Sequence, residues 1–190
     1  MKLDRILPYA KILLEKAVKS GDIVVDATLG NGHDTLFLAQ LVGESGKVYG
    51  FDVQDEAIAA SSKRLTDEGL LERTVLIHHG HETIAENIPN YRHGKITGAI
   101  FNLGYLPGSD KTIVTKPETT IAAIEQLLEI VAPEGIIVLV IYHGHEGGEV
   151  ERDSLLDFCR KIDQKEAQVL QYQFINQQNN PPFIVAIEKR

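Results

Sequence analysis

Gln168-Val169-Leu170-Gln171-Tyr172-Gln173-Phe174-Ile175 and Phe183-Ile184-Val185-Ala186-Ile187-Glu188 read as two strands, separated only by Asn176-Gln177-Gln178-Asn179-Asn180-Pro181-Pro182. A parallel pair needs a crossover of about a dozen residues or more, so this short connector predicts an antiparallel hairpin. Upstream of the hairpin the pattern alternates. Helices are expected at residues 6–18, 34–42, 56–68, 82–87, 117–131 and 151–163, and strands at 23–27, 47–52, 74–78, 97–102 and 135–142. The first helix places Ile6, Leu13, Leu14, Ala17 and Val18 near one face. Pro117 suits the first turn of its helix, where a missing N–H costs little. The run 135–142 is the most apolar strand and is expected to be covered on both faces.

Alternating strands and helices imply a mainly parallel, doubly wound α/β sheet. A terminal hairpin added to it gives seven strands with the last one reversed, in the expected order 3-2-1-4-5-7-6. That is the Rossmann-like arrangement of class I S-adenosylmethionine-dependent methyltransferases. No internal repeat, low-complexity tract or long linker divides the chain, so residues 1–190 are expected to form a single domain.

Asp26-Ala27-Thr28-Leu29-Gly30-Asn31-Gly32-His33-Asp34-Thr35 follows the first strand and opens a helix. Glycines there let the backbone turn sharply and approach a ligand closely. The next strand ends in Asp52, followed by Val53 and Gln54, at the distance where a carboxylate accepts hydrogen bonds from ribose hydroxyls. NAD and S-adenosylmethionine both carry adenosine, so neither feature separates them. Two details favour S-adenosylmethionine: Thr35 stands where the dinucleotide fingerprint has its third glycine, and the terminal hairpin is unusual for a nicotinamide enzyme. Thr28 replaces the first glycine of the usual methyltransferase loop. His79 and His81, after the third strand, either contact the adenine or line a solvated rim.

The fourth strand ends in Asn102-Leu103-Gly104-Tyr105. In amino-methyltransferases an Asn/Asp-Pro-Pro-Tyr/Phe segment stands here; its Asn oxygen and next carbonyl accept hydrogen bonds from the target amine, and its aromatic ring stacks on the substrate. Leu103 and Gly104 replace the prolines, which suits an acceptor other than a planar base amine. The segment continues Leu106-Pro107-Gly108-Ser109-Asp110-Lys111, in which Asp110 can take a proton and Lys111 can meet a phosphate. Methyl transfer to nitrogen needs alignment and a neutral amine rather than a covalent intermediate. Methylation of a pyrimidine ring carbon needs a cysteine nucleophile, and the single cysteine, Cys159, falls on the apolar side of its helix.

His-Gly-His-Glu occurs twice, at residues 79–82 and 143–146. In the expected strand order the two copies lie four strand spacings apart, roughly 19 Å, which metal–nitrogen bonds of about 2 Å do not bridge. No metal is expected. Tyr142, His143 and His145 lie beside the fourth strand, where they can bind substrate or remove a proton; the alternative is a glycine loop with incidental histidines.

The net charge of −8 argues against nonspecific binding to a polyanion. A local basic face can still come from Lys2, Arg5, Lys11, Lys16 and Lys19, from Arg92 and Lys95, or from Lys111 and Lys116. One cysteine excludes an internal disulfide framework and suits a reducing, cytoplasmic location. No apolar stretch approaches the roughly 20 residues of a membrane span, and the N-terminus lacks a signal-peptide core.

Asp26 to Thr35, Phe51-Asp52-Val53-Gln54, Asn102 to Gly108, Tyr142-His143-Gly144-His145 and Phe174-Ile175-Asn176-Gln177-Gln178 together resemble the YtqB-like family. These small bacterial proteins are often labelled rRNA methylases and associated with MnmM-type tRNA methyltransferases. The resemblance covers nearly the whole chain. It implies an S-adenosylmethionine-dependent enzyme that methylates the amine of 5-aminomethyl-2-thiouridine at the tRNA wobble position, with tRNA as partner. The expected cofactor set is Asp26, Thr28, Gly30, Asn31, Gly32, Asp34, Thr35, Asp52, Val53, Gln54, His79, His81 and Asn102. Asn102, Leu103, Tyr105, Asp110 and His143 form the expected catalytic set, and Tyr105, Leu106, Pro107, Gly108, Lys111, Tyr142 and His145 the substrate set. Rival readings are an rRNA methyltransferase, a small-molecule amine N-methyltransferase, a noncatalytic RNA-binding protein of the same fold and, more distantly, a nicotinamide oxidoreductase. A homodimer is compatible with the chain.

Overall fold

A computed structural model describes residues 2–104 and 114–190. The chain runs α1 (Ile6–Ala17), β1 (Ile23–Asp26), α2 (His33–Leu41), β2 (Lys47–Phe51), α3 (Asp55–Asp67), β3 (Thr74–Ile77), α4 (Ile84–Asn87), β4 (Ile96–Leu103), α5 (Pro117–Ile130), β5 (Val131–Ile141), α6 (Gly148–Lys161), β6 (Ala167–Tyr172) and β7 (Phe183–Lys189). The sheet order is β3-β2-β1-β4-β5-β7-β6, as expected. Neighbours from β3 to β5 are parallel, and β7 runs antiparallel to both β5 and β6.

Two boundaries differ usefully from the sequence reading. β6 ends at Tyr172, because Tyr172 faces Ile184 in the last pair before the connector. α6 starts at Gly148, three residues earlier than expected, because that glycine packs tightly on the preceding loop: a Cβ there would lie 2.9 Å from His143 Cα.

Strand residues alternate between two apolar layers, as the pleat requires. Val25, Phe101, Leu103, Leu139 and Ile141 pack towards α4, α5 and α6. Val24, Ile100, Val138 and Val140 pack towards α1, α2 and α3. α1 crosses so closely over β4 that a Cβ on Gly98 would lie 2.8 Å from Val18 Cγ2. Cys159 is buried in the α6 layer, which pushes its thiol up to about 11 and leaves it unsuited to nucleophilic work. No helix among the described residues is long and apolar enough to cross a membrane.

Register aligns the functional strand ends. Asp26 pairs with Gly50 on one side and Ile100 on the other, while Asn102 pairs with Val140. The ends of β1, β2 and β4 therefore open on one edge, the carboxyl edge where ligands bind in open α/β sheets.

Candidate active site

The loop after β1 is built from beneath and from the side. Asp26 is fully buried; its carboxylate accepts hydrogen bonds from the Thr28 N–H (3.2 Å) and the Thr35 hydroxyl (2.6 Å). Burial first, then the nearby charge of Asp34, pushes its carboxyl up to about 7. Gly32 stands at the helix start with φ 75°, and a Cβ on it would sit 2.6 Å from Ser61 Oγ. Only glycine fits both the left-handed backbone and that contact. From α3, Ser61 donates to the Gly30 carbonyl (2.9 Å) and Arg64 Nε to the Asn31 carbonyl (2.7 Å).

The loop borders a cavity of about 1030 Å³. Of the expected cofactor residues, Thr28, Gly30, Asn31 and Asp34 line it from the loop, Asp52, Val53 and Gln54 from the β2 end, and His81 and Asn102 from further along the edge. Asp52 accepts the Gly30 N–H on one oxygen (2.9 Å) and the Gln54 N–H on the other (3.0 Å). Each oxygen retains lone-pair capacity, so the pair can still receive two hydroxyls of a ribose. Asp26, Gly32 and Thr35 stand outside the lining of this cavity, behind the loop, and position it. His79 is exposed and also stands outside the lining. Its neighbour His78 instead meets the Val53 carbonyl (2.9 Å) and Asp55 (3.2 Å).

The end of β4 enters the same cavity. The Asn102 N–H donates to Thr28 Oγ1 (2.7 Å), and Asn102 Nδ2 donates to Asp34 Oδ2 (2.5 Å). Those two bonds orient the side-chain amide, leaving Oδ1 as its acceptor edge. Leu103 is buried, and its carbonyl accepts the Tyr142 N–H (3.2 Å). Tyr142 lines the cavity, and its phenol is pushed above the usual range by burial and by the charge of Asp34. Tyr105, Leu106, Pro107, Gly108, Asp110 and Lys111 lie outside the described residues.

The histidines divide. His81 is buried, with Nδ1 3.1 Å from the Ala27 carbonyl, and burial holds its pKa below the ordinary value. A neutral ring that donates Nδ1–H to that carbonyl fits this setting. His143 is buried away from the cavity lining: Nε2 lies 3.1 Å from the Pro181 carbonyl and Nδ1 3.3 Å from Arg152 Nη1. Both ring nitrogens are engaged, and the ring packs edge-on against Phe183. In this place it ties the β5 end to the hairpin connector. His145 is half-buried beside the acceptor strand: a Cβ on Gly104 would lie 3.7 Å from His145 Cε1. Among the described residues no three His, Cys, Asp or Glu side chains converge as metal ligands do.

Several lining residues were not expected at the site; Lys11 and Lys116 stood in the sequence only as candidates for a basic face. Leu7 and Lys11 reach the cavity one turn apart on α1, with Lys11 Nζ 4.8 Å from the centre of the Phe37 ring. Thr115, Lys116 and Thr119 line the wall beyond the acceptor segment. Only the crossing of α1 and the start of α5 bring them there.

The chain is similar to several known proteins. The family model described as "Putative rRNA methylase" matches residues 48–188. Over 189 residues the chain is 32% identical to the tRNA (mnm(5)s(2)U34)-methyltransferase, chloroplastic, of Arabidopsis thaliana, covering 95% of this chain and 68% of that protein. Among solved structures, a "putative rRNA-methylase" from Clostridium thermocellum is 45% identical with a TM-score of 0.96, covering 100% of both chains. A "putative methyltransferase" from Streptococcus mutans in complex with SAH is 37% identical with a TM-score of 0.90, covering 99% of both chains.

Proposed function

The chain belongs to the family described as "Putative rRNA methylase", and from that premise we propose that this S-adenosylmethionine-dependent methyltransferase converts 5-aminomethyl-2-thiouridine at the tRNA wobble position into 5-methylaminomethyl-2-thiouridine. The observation that carries the reading is the oriented amide of Asn102 in the same cavity as the Asp52 carboxylate and the Gly30-Asn31 backbone. The activity named for the Arabidopsis relative supports the choice of acceptor.

The residues present fit the cofactor. Asp52 offers two carboxylate oxygens for a ribose diol, Val53 is an exposed apolar surface at the β2 end for the flat base, and the loop backbone approaches closely. Bound there, S-adenosylmethionine supplies an electrophilic methyl group. The chain's own part is to bring a neutral amine into line with it. Asn102 Oδ1 accepts one amine N–H and turns the nitrogen lone pair away from itself. The Leu103 carbonyl already takes the Tyr142 N–H and keeps a second lone pair for the amine. An alkylamine is mostly protonated near neutrality, so a base must take its proton. Asp110, His143 and His145 are the candidates for that role.

Purified protein, S-adenosylmethionine and tRNA carrying 5-aminomethyl-2-thiouridine test the reading by nucleoside mass spectrometry. Gain of one methyl on that nucleoside is the expected result. Methylation of rRNA or of small amines, with this nucleoside unchanged, overturns the choice of acceptor. Absence of turnover and of S-adenosylmethionine binding leaves the noncatalytic reading in its place.

A further inference from the structure

A buried carboxylate that no step above uses lies beneath the acceptor side. Glu151, in the first turn of α6, is 2% exposed. Its Oε2 accepts the Thr115 hydroxyl (2.7 Å) and its Oε1 the Thr120 hydroxyl (2.9 Å). Thr115 in turn is locked to the end of β4. Its Oγ1 accepts the Gly104 N–H (3.0 Å), and its own N–H donates to the Gly104 carbonyl (2.9 Å). Thr120 Oγ1 lies 3.5 Å from His81 Nε2, and His81 reaches the Ala27 carbonyl beneath the cofactor loop.

The direction of these bonds matters. A threonine hydroxyl has one proton. Because Thr115 donates it to Glu151, the oxygen is left to receive the Gly104 N–H. Gly104 is two residues from Asn102, and Gly104 and Thr115 bracket the segment that contains Tyr105 and Asp110. The carboxylate therefore ties together α6, α5 and both ends of the acceptor segment.

We propose that Glu151 is a positioning residue for methyl transfer, acting through Thr115 to hold Gly104, and with it Asn102, in register with the cofactor; the inference rests on the methyltransferase reading above. Glu151 touches neither cofactor nor acceptor, so its removal changes turnover rather than cofactor binding. Glu151→Gln keeps an oxygen for the Thr115 hydroxyl and an N–H for Thr120, whose own proton can pass to His81. Glu151→Met keeps the length and replaces both carboxylate oxygens with, at most, a weakly accepting thioether.

Four variants and three readouts test this. Glu151→Met and Thr115→Val are expected to lower kcat on tRNA by roughly 10–100-fold, the cost of a small misplacement. Their Kd for S-adenosylhomocysteine by calorimetry is expected to stay within about twofold of the parent. Glu151→Gln and Thr115→Ser are expected to recover most of the loss. Hydrogen exchange at the Gly104 and Thr115 amides, followed by NMR, is expected to speed up in Glu151→Met and return towards the parent rate in Glu151→Gln. Unchanged kcat, or kcat and cofactor affinity falling together, overturns the proposal. If Glu151→Met does not fold, Thr115→Val against Thr115→Ser decides by the same criteria. If the parent protein methylates no tRNA, the acceptor reading fails by itself, and the exchange rates decide the network.

Discussion

Asn102 is held by its backbone N–H on Thr28 and by its side-chain N–H on Asp34, so the loop after β1 orients the residue at the end of β4. A preorganised acceptor of this kind contributes when the amine is aligned, and little when the cofactor binds. Asn102→Ala is therefore expected to lower turnover by about 10²-fold. Its Kd for S-adenosylhomocysteine by calorimetry is expected to stay within about threefold. Parallel loss of both would make Asn102 a cofactor ligand. Asp26 gives a different prediction, in stability. Its folded-state pKa is raised from 3.8 to about 7, so the native protein holds this proton more tightly than the unfolded chain. The Asp26 contribution is full below about pH 4, declines as pH rises to about 7, and is flat above. Urea unfolding of Asp26→Asn against the parent is expected to show the variant gaining relative stability across that window. A difference independent of pH would mean that Asp26 titrates normally. In the sequence Asp26 and Asn102 stood out by place and type, but not that one lies behind the loop and the other in front of it. That distinction depends on which neighbours cover each carboxylate or amide.

At the scale of elements, the β1–α2 turn is shaped by α3 as much as by its own glycines. Ser61 and Arg64 hold the carbonyls of Gly30 and Asn31, and Gly32 sits against Ser61 with no room for a methyl. Gly32→Ala forces a Cβ into a left-handed backbone, which costs about 1–2 kcal/mol, and pushes the turn off α3. The expected outcome is a lower Tm together with weaker S-adenosylhomocysteine binding, read by scanning fluorimetry and calorimetry. A Tm loss with unchanged affinity would mean that the turn relaxes away from the ligand. Glycine content made this turn legible in the sequence, because few residues tolerate its backbone. The second His-Gly-His-Glu was not legible in that way. Identical letters in residues 79–82 and 143–146 leave His79 exposed and its counterpart His143 buried and bonded to Pro181 and Arg152. Spacing along the chain carries no information about which side of a loop meets the hairpin connector.

For the molecule as a whole, a ligand that binds only the folded state stabilises it by mass action. S-adenosylhomocysteine at about 100 times its Kd adds about 2.7 kcal/mol, expected as a Tm rise of roughly 5–10 °C for a chain of this size. NAD is expected to produce no rise, and a rise with NAD alone would reopen the nicotinamide reading. Strand order, the reversed β7 and the shared carboxyl edge were all determined by the sequence. Apolar periodicity, a glycine turn and a connector too short for a crossover are local facts, and chain connectivity leaves few sheets that satisfy them. Tertiary structure alone decided which residues meet across that edge. Leu7 and Lys11 reach the cavity because α1 crosses β4 at Gly98, and Glu151 reaches Thr115 because α6 begins tight against His143. Such contacts join residues distant in the chain through close packing and hydrogen-bond direction. Neither quantity is written in the order of the letters.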